Sequence, residues 1–180
     1  MKSLLVLSHC ILNTASKVMQ DEAELADEYQ TRDRLLKLIL QKNVQLLQLP
    51  CPEFTLYGSQ RWGHVKNQFQ HPYFRKASKD MLEPILLQLE EYDRHPEDFS
   101  VLGIVSVEGS PSCGYYCTCT GEWKGEIGTD PAHISKMQST LKMSDKSGVF
   151  MELLKEQLEA RKLSIPIMTM EETIEALKLI

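Results

Sequence analysis

The chain has 180 residues, of which 42% are hydrophobic and 25% are charged, and its net charge is -5. This length supports one substantial core and is short for two ordinary domains, so a single domain over residues 1–180 is expected. The acidic balance, without a cluster of Lys and Arg on any one segment, excludes a nucleic-acid polymer as the expected partner.

The first apolar run, Leu4-Leu5-Val6-Leu7, predicts a buried strand. The run is too short for the core of a signal peptide, and no apolar stretch approaches the roughly 20 residues that cross a bilayer. We therefore expect a cytoplasmic protein that does not enter a membrane. It could form a homodimer.

Strand-like and helical patterns then alternate along the chain. Apolar runs predict further strands at residues 44–47, 101–105 and 165–168. Helical spacing predicts a helix ending at Lys42, with Thr31 and Asp33 as candidate caps, and helices over 77–92, 149–158 and 170–179. Pro84 predicts a kink or a late start in the second of these helices. Because parallel strands require crossover connections, the alternation predicts an α/β fold with a small doubly wound parallel sheet in three layers, α/β/α.

Two segments follow neither pattern. Residues 109–130 are rich in Gly, Cys, Thr and Tyr, and Trp123-Lys124-Gly125-Glu126-Ile127 is expected to form one arm of a small hairpin. Residues 54–69 are predicted to form a loop over a binding site. This loop contains Trp62 and Arg61: the indole could stack on a base-like ring, as could Tyr115, Tyr116 and Trp123, and the guanidinium could hold an anionic or carbonyl group.

Three of the five cysteines, Cys10, Cys51 and Cys113, each follow a predicted strand. In an open α/β sheet the carboxyl ends of the strands meet at one crevice, and neighbouring strands are roughly 5 Å apart, so the three thiols are expected to share one site. An iron–sulfur cluster or one zinc ion would be within reach. A cubane held by three cysteines leaves one iron open, as catalytic metals require.

Other readings of the cysteines stay open. Free cysteines often behave as small buried apolar residues. Cys117 or Cys119 could instead supply an additional ligand, which would make the chain a non-catalytic metal or iron–sulfur binding module or a sensor.

Three motifs contain the candidate ligands: Ser8-His9-Cys10-Ile11-Leu12, Pro50-Cys51-Pro52-Glu53 and Ser110-Pro111-Ser112-Cys113-Gly114. Together they resemble the thiouracil desulfidase family over roughly residues 3–128. The resemblance implies an α/β domain whose three cysteines hold a [4Fe-4S] cluster, with an open iron that binds the sulfur of a small thiolated substrate, such as a thiolated nucleobase, and removes it without net redox change. The family pattern has Gly where this chain has Asn13, and it differs again around Tyr57-Gly58-Ser59-Gln60-Arg61, which indicates a divergent subfamily.

Two kinds of side chain beside the cysteines are candidates for proton transfer. Glu53 lies two residues after Cys51 and is predicted to be the general acid/base, with a helix cap or surface carboxylate as the alternative. The resemblance suggests that Ser110 and Ser112 hydrogen-bond the substrate or relay a proton, where turn hydroxyls bonded to nearby backbone are the alternative.

Overall fold

Residues 1–180 are described by a computed structural model with eight α-helices and six strands. In chain order the elements are β1 (Lys2–Leu7), α1 (His9–Leu12), a 3-10 turn (Thr14–Ser16), α2 (Glu22–Gln41), β2 (Gln45–Gln48), α3 (Pro52–Tyr57), α4 (Lys66–Phe69), α5 (Pro72–Asp93), β3 (Phe99–Val105), β4 (Thr118–Thr120), α6 (Pro131–Gln138), β5 (Lys142–Ser144), α7 (Val149–Ala160), β6 (Ile167–Met168) and α8 (Met170–Lys178). None of the helices is long and apolar enough to cross a membrane.

Four parallel strands form the central sheet in the order β2-β1-β3-β6. Against β3, the register of β1 runs from Lys2 opposite Phe99 to Leu7 opposite Val105, with a shift between Leu4 and Leu5. The chain passes from β1 outward to β2 and then back across β1 to β3. Because crossovers of parallel strands are right-handed, this reversal places helices on both faces of the sheet.

Two pairs of helices form the outer layers: α2 packs against α8, and α5 packs against α7. The central strands β1 and β3 are apolar and buried over their carboxyl-terminal halves, where helices cover both faces of the sheet. Leu5, Val6 and Leu7 are fully buried. The predicted three-layer α/β fold with a parallel sheet is confirmed.

Two predictions about helix boundaries are wrong. Helix α2 begins at Glu22, where the side chain of Asp21 accepts a hydrogen bond from the Ala23 N–H, so Thr31 and Asp33 lie inside the helix and cap nothing. Helix α5 begins at Pro72 and continues through Pro84, which excludes a late start. Several Thr and Asp residues fit an N-cap equally well by type, and tertiary packing decides which one is used.

The two irregular segments also differ from expectation. Residues 54–69 are partly helical, because they include most of α3 and all of α4. The segment from Trp123 to Ile127 lies in no strand: Gly125 and Gly128 have positive φ, which turns the chain. The small antiparallel ladder after the third strand is formed by β4 and β5 instead.

Candidate functional site

The three cysteines predicted to share a site lie at the carboxyl ends of three adjacent strands. Cys10 lies in α1 directly after β1, Cys51 is the N-cap of α3 after β2, and Cys113 lies in the turn after β3. The chain leaves β1 and β3 in opposite directions, toward β2 and β6, so the crevice between their ends is a topological switch point. This is where open α/β sheets bind ligands.

The pKa values of two of these thiols rise through burial and through the charge of neighbouring cysteines. Burial raises the pKa of the Cys10 thiol to about 11, and the neighbouring Cys51 adds to the rise. Burial raises the pKa of Cys113 as well, with further contributions from Cys10 and Cys51. These directions agree with the placement of the three free thiols at the ends of three adjacent strands.

Glu53 lies beside these thiols and forms a buried ion pair with Arg61. The distance from Arg61 Nε to Glu53 Oε2 is 3.5 Å, and the Arg61 side chain is only 3% exposed. The guanidinium also donates to the backbone carbonyls of Ser16, at 2.8 Å, and Gly58, at 3.0 Å. Arg61 is thus fixed on three sides and holds a positive charge against the Glu53 carboxylate.

Ser110 and Ser112 form a chain of hydroxyl groups that ends on Glu53. The Ser112 hydroxyl donates to Glu53 Oε1 at 2.5 Å and lies 3.4 Å from the sulfur of Cys113. Ser110 Oγ is 3.2 Å from Ser112 Oγ and accepts the Cys113 N–H at 3.0 Å. The structure therefore connects four of the six predicted site residues, Ser110, Ser112, Cys113 and Glu53, by direct contacts.

Helix α7 and the side chain of Glu108 hold the turn that contains Cys113 and the residues after it. At the start of α7, the Phe150 and Met151 N–H groups donate to the Ser112 carbonyl at 3.0 and 3.1 Å. Glu108 accepts the Ser106 hydroxyl and the backbone N–H groups of Tyr115, Tyr116 and Cys117, at 2.6 to 3.0 Å. Burial opposes ionisation of Glu108, but these hydrogen bonds outweigh it and lower the pKa of its carboxyl.

Sequence reasoning missed or misjudged several neighbours of the site. By its sequence context Arg61 could equally have been a solvated surface residue, but its side chain is buried. Lys17 was not singled out, yet it bonds both Glu28 oxygens at 2.6 and 2.8 Å and lowers the pKa of Cys10. His64 was not assigned to the site, but its pKa responds to Glu53 and Arg61 after the larger lowering by burial. No local pattern marks these residues, because their positions depend on how the 13–21 and 58–65 segments close over the strand ends.

Cys117 and Cys119 lie elsewhere. Burial raises the pKa of Cys117, and its charged neighbours are Glu108 and Asp145 rather than the other cysteines. Cys119 lies on β4 opposite Met143. No three His, Cys, Asp or Glu side chains converge so that one metal ion could bind them. A cubane has a different requirement, since each thiolate binds a separate iron. Cys113 is buried and Cys10 and Cys51 are half-buried, and cysteine thiolates are the ligands that such a cluster requires.

Comparison with known proteins identifies the family of this chain. A family model described as "Putative 2-thiouracil desulfurase" matches residues 1–162. The chain belongs to this family. It is 33% identical over 116 residues to an uncharacterised protein of Methanocaldococcus jannaschii, an alignment that covers 64% of this chain and 69% of that protein. No solved structure matches.

Membership in the desulfurase family confirms the resemblance noted from the three motifs. The match extends beyond the expected end near residue 128 and includes α7. The helix that supports the Cys113 turn is therefore part of the family region.

Proposed function

We propose that this chain removes sulfur from a small thiolated molecule, such as a thiolated nucleobase, at a [4Fe-4S] cluster held by Cys10, Cys51 and Cys113. The observation that supports the proposal most directly is the contact chain from the Cys113 sulfur through the Ser112 hydroxyl to the buried Glu53 carboxylate. The family description, which names a desulfurase, agrees with it.

The three cysteines suit the cofactor chemically. Burial raises the pKa values of the Cys10 and Cys113 thiols, and iron bound by their thiolates would offset the cost of ionising them there. A [4Fe-4S] cluster held by these three cysteines would supply a Lewis acid able to polarise a thiocarbonyl.

The residues of this chain then account for the protons. Exchange of a C=S group for C=O needs one water: its oxygen forms the new bond to carbon, the C–S bond breaks, and the sulfur leaves as sulfide with the protons of that water. Glu53 accepts the proton from the attacking water and returns it to the leaving sulfur. Ser112 orients the carboxylate, Ser110 orients Ser112, and Arg61 holds the Glu53 carboxylate in place through their ion pair.

The cofactor assignment is tested by anaerobic purification followed by iron and acid-labile sulfide analysis. Cys10→Ala, Cys51→Ala and Cys113→Ala are expected to lose iron, whereas the matched controls Cys117→Ala and Cys119→Ala retain it. Stoichiometric zinc without iron would contradict the proposal. Loss of iron only in the Cys117 or Cys119 variant would favour the non-catalytic binding module.

The reaction is tested by measuring sulfide release from 2-thiouracil. Glu53→Gln is expected to lower kcat at least about 100-fold with its cluster intact, because positioned acid/base groups contribute about that much or more. Ser112→Ala is expected to lower it about tenfold, as for a hydrogen bond to a charged group. Undiminished turnover in Glu53→Gln would refute its role, and Glu126→Gln serves as a control carboxylate on the surface.

A further inference from the structure

A groove of about 280 Å³ lies beside β6, which is an edge strand of the central sheet. The carboxyl-terminal half of α7 forms one wall, and the segment from Leu163 to Ile167 forms the other. Tyr115 and Leu158 add apolar surface to the lining. None of the lining residues belongs to the candidate site, so the groove needs an explanation of its own.

The free edge of β6 presents backbone groups that no strand of this chain pairs with. The Ile104 N–H of β3 donates to the Pro166 carbonyl at 2.8 Å, so the backbone groups of Pro166 face β3. Because these groups alternate in direction along an extended segment, the N–H and C=O groups of Ile165 and Ile167 face away from the sheet. No strand lies on that side of β6. An unpaired apolar edge of this kind is a template for pairing with another chain.

Pro166 does not block such pairing, because the N–H that it lacks would face β3. In an antiparallel pair of strands, residues that exchange two hydrogen bonds alternate with residues that exchange none. A second β6 that approaches about a two-fold axis beside Pro166 therefore sets Ile165 of each copy opposite Ile167 of the other, where hydrogen bonds form. The two Pro166 residues meet at the intervening position, which requires no N–H.

Two residues of opposite charge on α7, Lys155 and Glu159, line the same groove. Both are exposed, and they lie one helical turn apart. No ion pair within the chain uses either charge. In a two-fold interface, each residue of a contacting pair appears on both sides. Because the axis is perpendicular to the shared sheet, the two α7 helices run antiparallel on one face and bring Lys155 of each copy opposite Glu159 of the other.

We propose that this groove is the interface of a homodimer, in which two β6 strands pair antiparallel and join the two four-stranded sheets into one. The apolar side chains of the groove form the centre of the interface, and the two Lys155–Glu159 pairs form its rim. Opposite charges one turn apart favour a second copy of the chain over a partner of a single charge sign. The dimer does not depend on the proposed desulfurase function.

The mass of the purified full-length chain tests this proposal, measured by light scattering after gel filtration at a series of concentrations in reducing buffer. A particle of twice the chain mass of 20.6 kDa is expected. Lys155→Glu and Glu159→Lys each bring like charges together at two symmetric places, so each is expected to raise the dimer Kd about tenfold. The double variant restores opposite signs and should recover the Kd of the parent chain.

Two variants outside the groove are the matched controls. Lys79→Glu reverses an exposed charge on α5, and Leu46→Asp changes an exposed apolar residue on β2, the other edge of the sheet. Neither should change the dimer Kd.

A monomer at every concentration would overturn the proposal, as would a dimer whose Kd is unaffected by Lys155→Glu. Failure of the double variant to recover would also contradict it, because exchange of the two charges restores only a self-complementary contact. Loss of the dimer in Leu46→Asp would assign the interface to the β2 edge, and binding of an extended peptide to a monomeric chain would make the groove a peptide site. Sulfide release by a chain that stays monomeric would leave the desulfurase function standing and the dimer proposal wrong.

Discussion

At the scale of single residues, Glu53 and Arg61 form an ion pair in which both side chains are almost completely buried. Each charge has lost its water, and the partner only partly replaces it. Such pairs contribute little compared with an apolar substitute, but removal of one partner leaves an uncompensated charge. The pair is therefore better explained by the chemistry of Glu53 than by stability.

A double-substitution experiment separates these two roles. Arg61→Met is expected to lower the free energy of unfolding by about 3 kcal/mol, because Glu53 stays buried without its counter-charge. The combination of Arg61→Met with Glu53→Leu should recover most of that loss and still release no sulfide. Urea denaturation measures the first quantity, and the 2-thiouracil assay measures the second.

Arg75→Met is the control for removing an arginine. Arg75 pairs with the half-exposed Glu156, so a loss below about 1 kcal/mol is expected. A double variant no more stable than Arg61→Met would contradict the account of a buried, uncompensated charge.

The sequence predicted a site residue well when the position of that residue depends only on the neighbouring chain. Cys10, Cys51 and Cys113 could be placed because strand ends fix them, and Glu53 follows Cys51 within one helical turn. Arg61 and Lys17 could not be placed, because they reach the crevice only when the 58–65 and 13–21 segments fold over it. The contact of Arg61 with the Ser16 carbonyl, 45 residues away, has no sequence signature.

At the scale of elements, the start of α7 fits tightly against the Cys113 turn. Gly148 is the N-cap of α7, and a Cβ atom at this position would lie 2.5 Å from the carbonyl carbon and oxygen of Ser112. Both neighbours are backbone atoms that cannot rotate away. Glycine is required here by proximity, and the sequence alone gave no reason to connect residues 112 and 148.

Gly148→Ala is therefore expected to move the turn that contains Ser112 and Cys113. We expect a loss of about 1–3 kcal/mol in the free energy of unfolding, typical of overpacking, and a lower iron content after anaerobic purification. Gly63→Ala is the matched control, because nothing lies within 4 Å of a Cβ atom there. Equal iron content and stability in the two variants would show that the turn tolerates displacement.

The loop that leads into the turn depends on the ionised form of Glu108. A carboxyl whose pKa is lowered by folding stabilises the protein above its unfolded pKa, near 4.5, and this contribution disappears as the pH falls through the lower folded value. Glu108→Gln is thus expected to be less stable than the parent chain at neutral pH, and the difference should shrink below pH 4.5.

Chemical denaturation at a series of pH values checks this expectation. Glu126→Gln, which alters an exposed carboxyl without a hydrogen-bond partner, should give a curve parallel to that of the parent chain. A pH-independent difference for Glu108→Gln would mean that the side chain acts through shape rather than charge.

At the scale of the whole molecule, the order β2-β1-β3-β6 determines where chemistry can occur. The connections after β1 and β3 run in opposite directions along the sheet, and this creates the crevice. The topology brings to it the cysteines that follow three neighbouring strands. The alternation of apolar runs with helical patterns was sufficient to predict the three-layer α/β fold with a parallel sheet, but not the order of its strands. The hairpin was not predictable, because the pairing of β4 with β5 joins residues more than twenty positions apart across a loop and α6.

Cluster binding should couple to the stability of the whole fold, since the three ligands come from the ends of three strands. A ligand that binds only the folded chain adds about 2.7 kcal/mol at 100 times its Kd. We expect anaerobic loading with iron and sulfide to raise the free energy of unfolding by at least about this amount. Cys113→Ser should abolish the increase, whereas Cys119→Ser should preserve it. Unchanged urea midpoints on loading would place the bound iron outside the fold, and a loss of the increase in Cys119→Ser would give that residue a ligand's role.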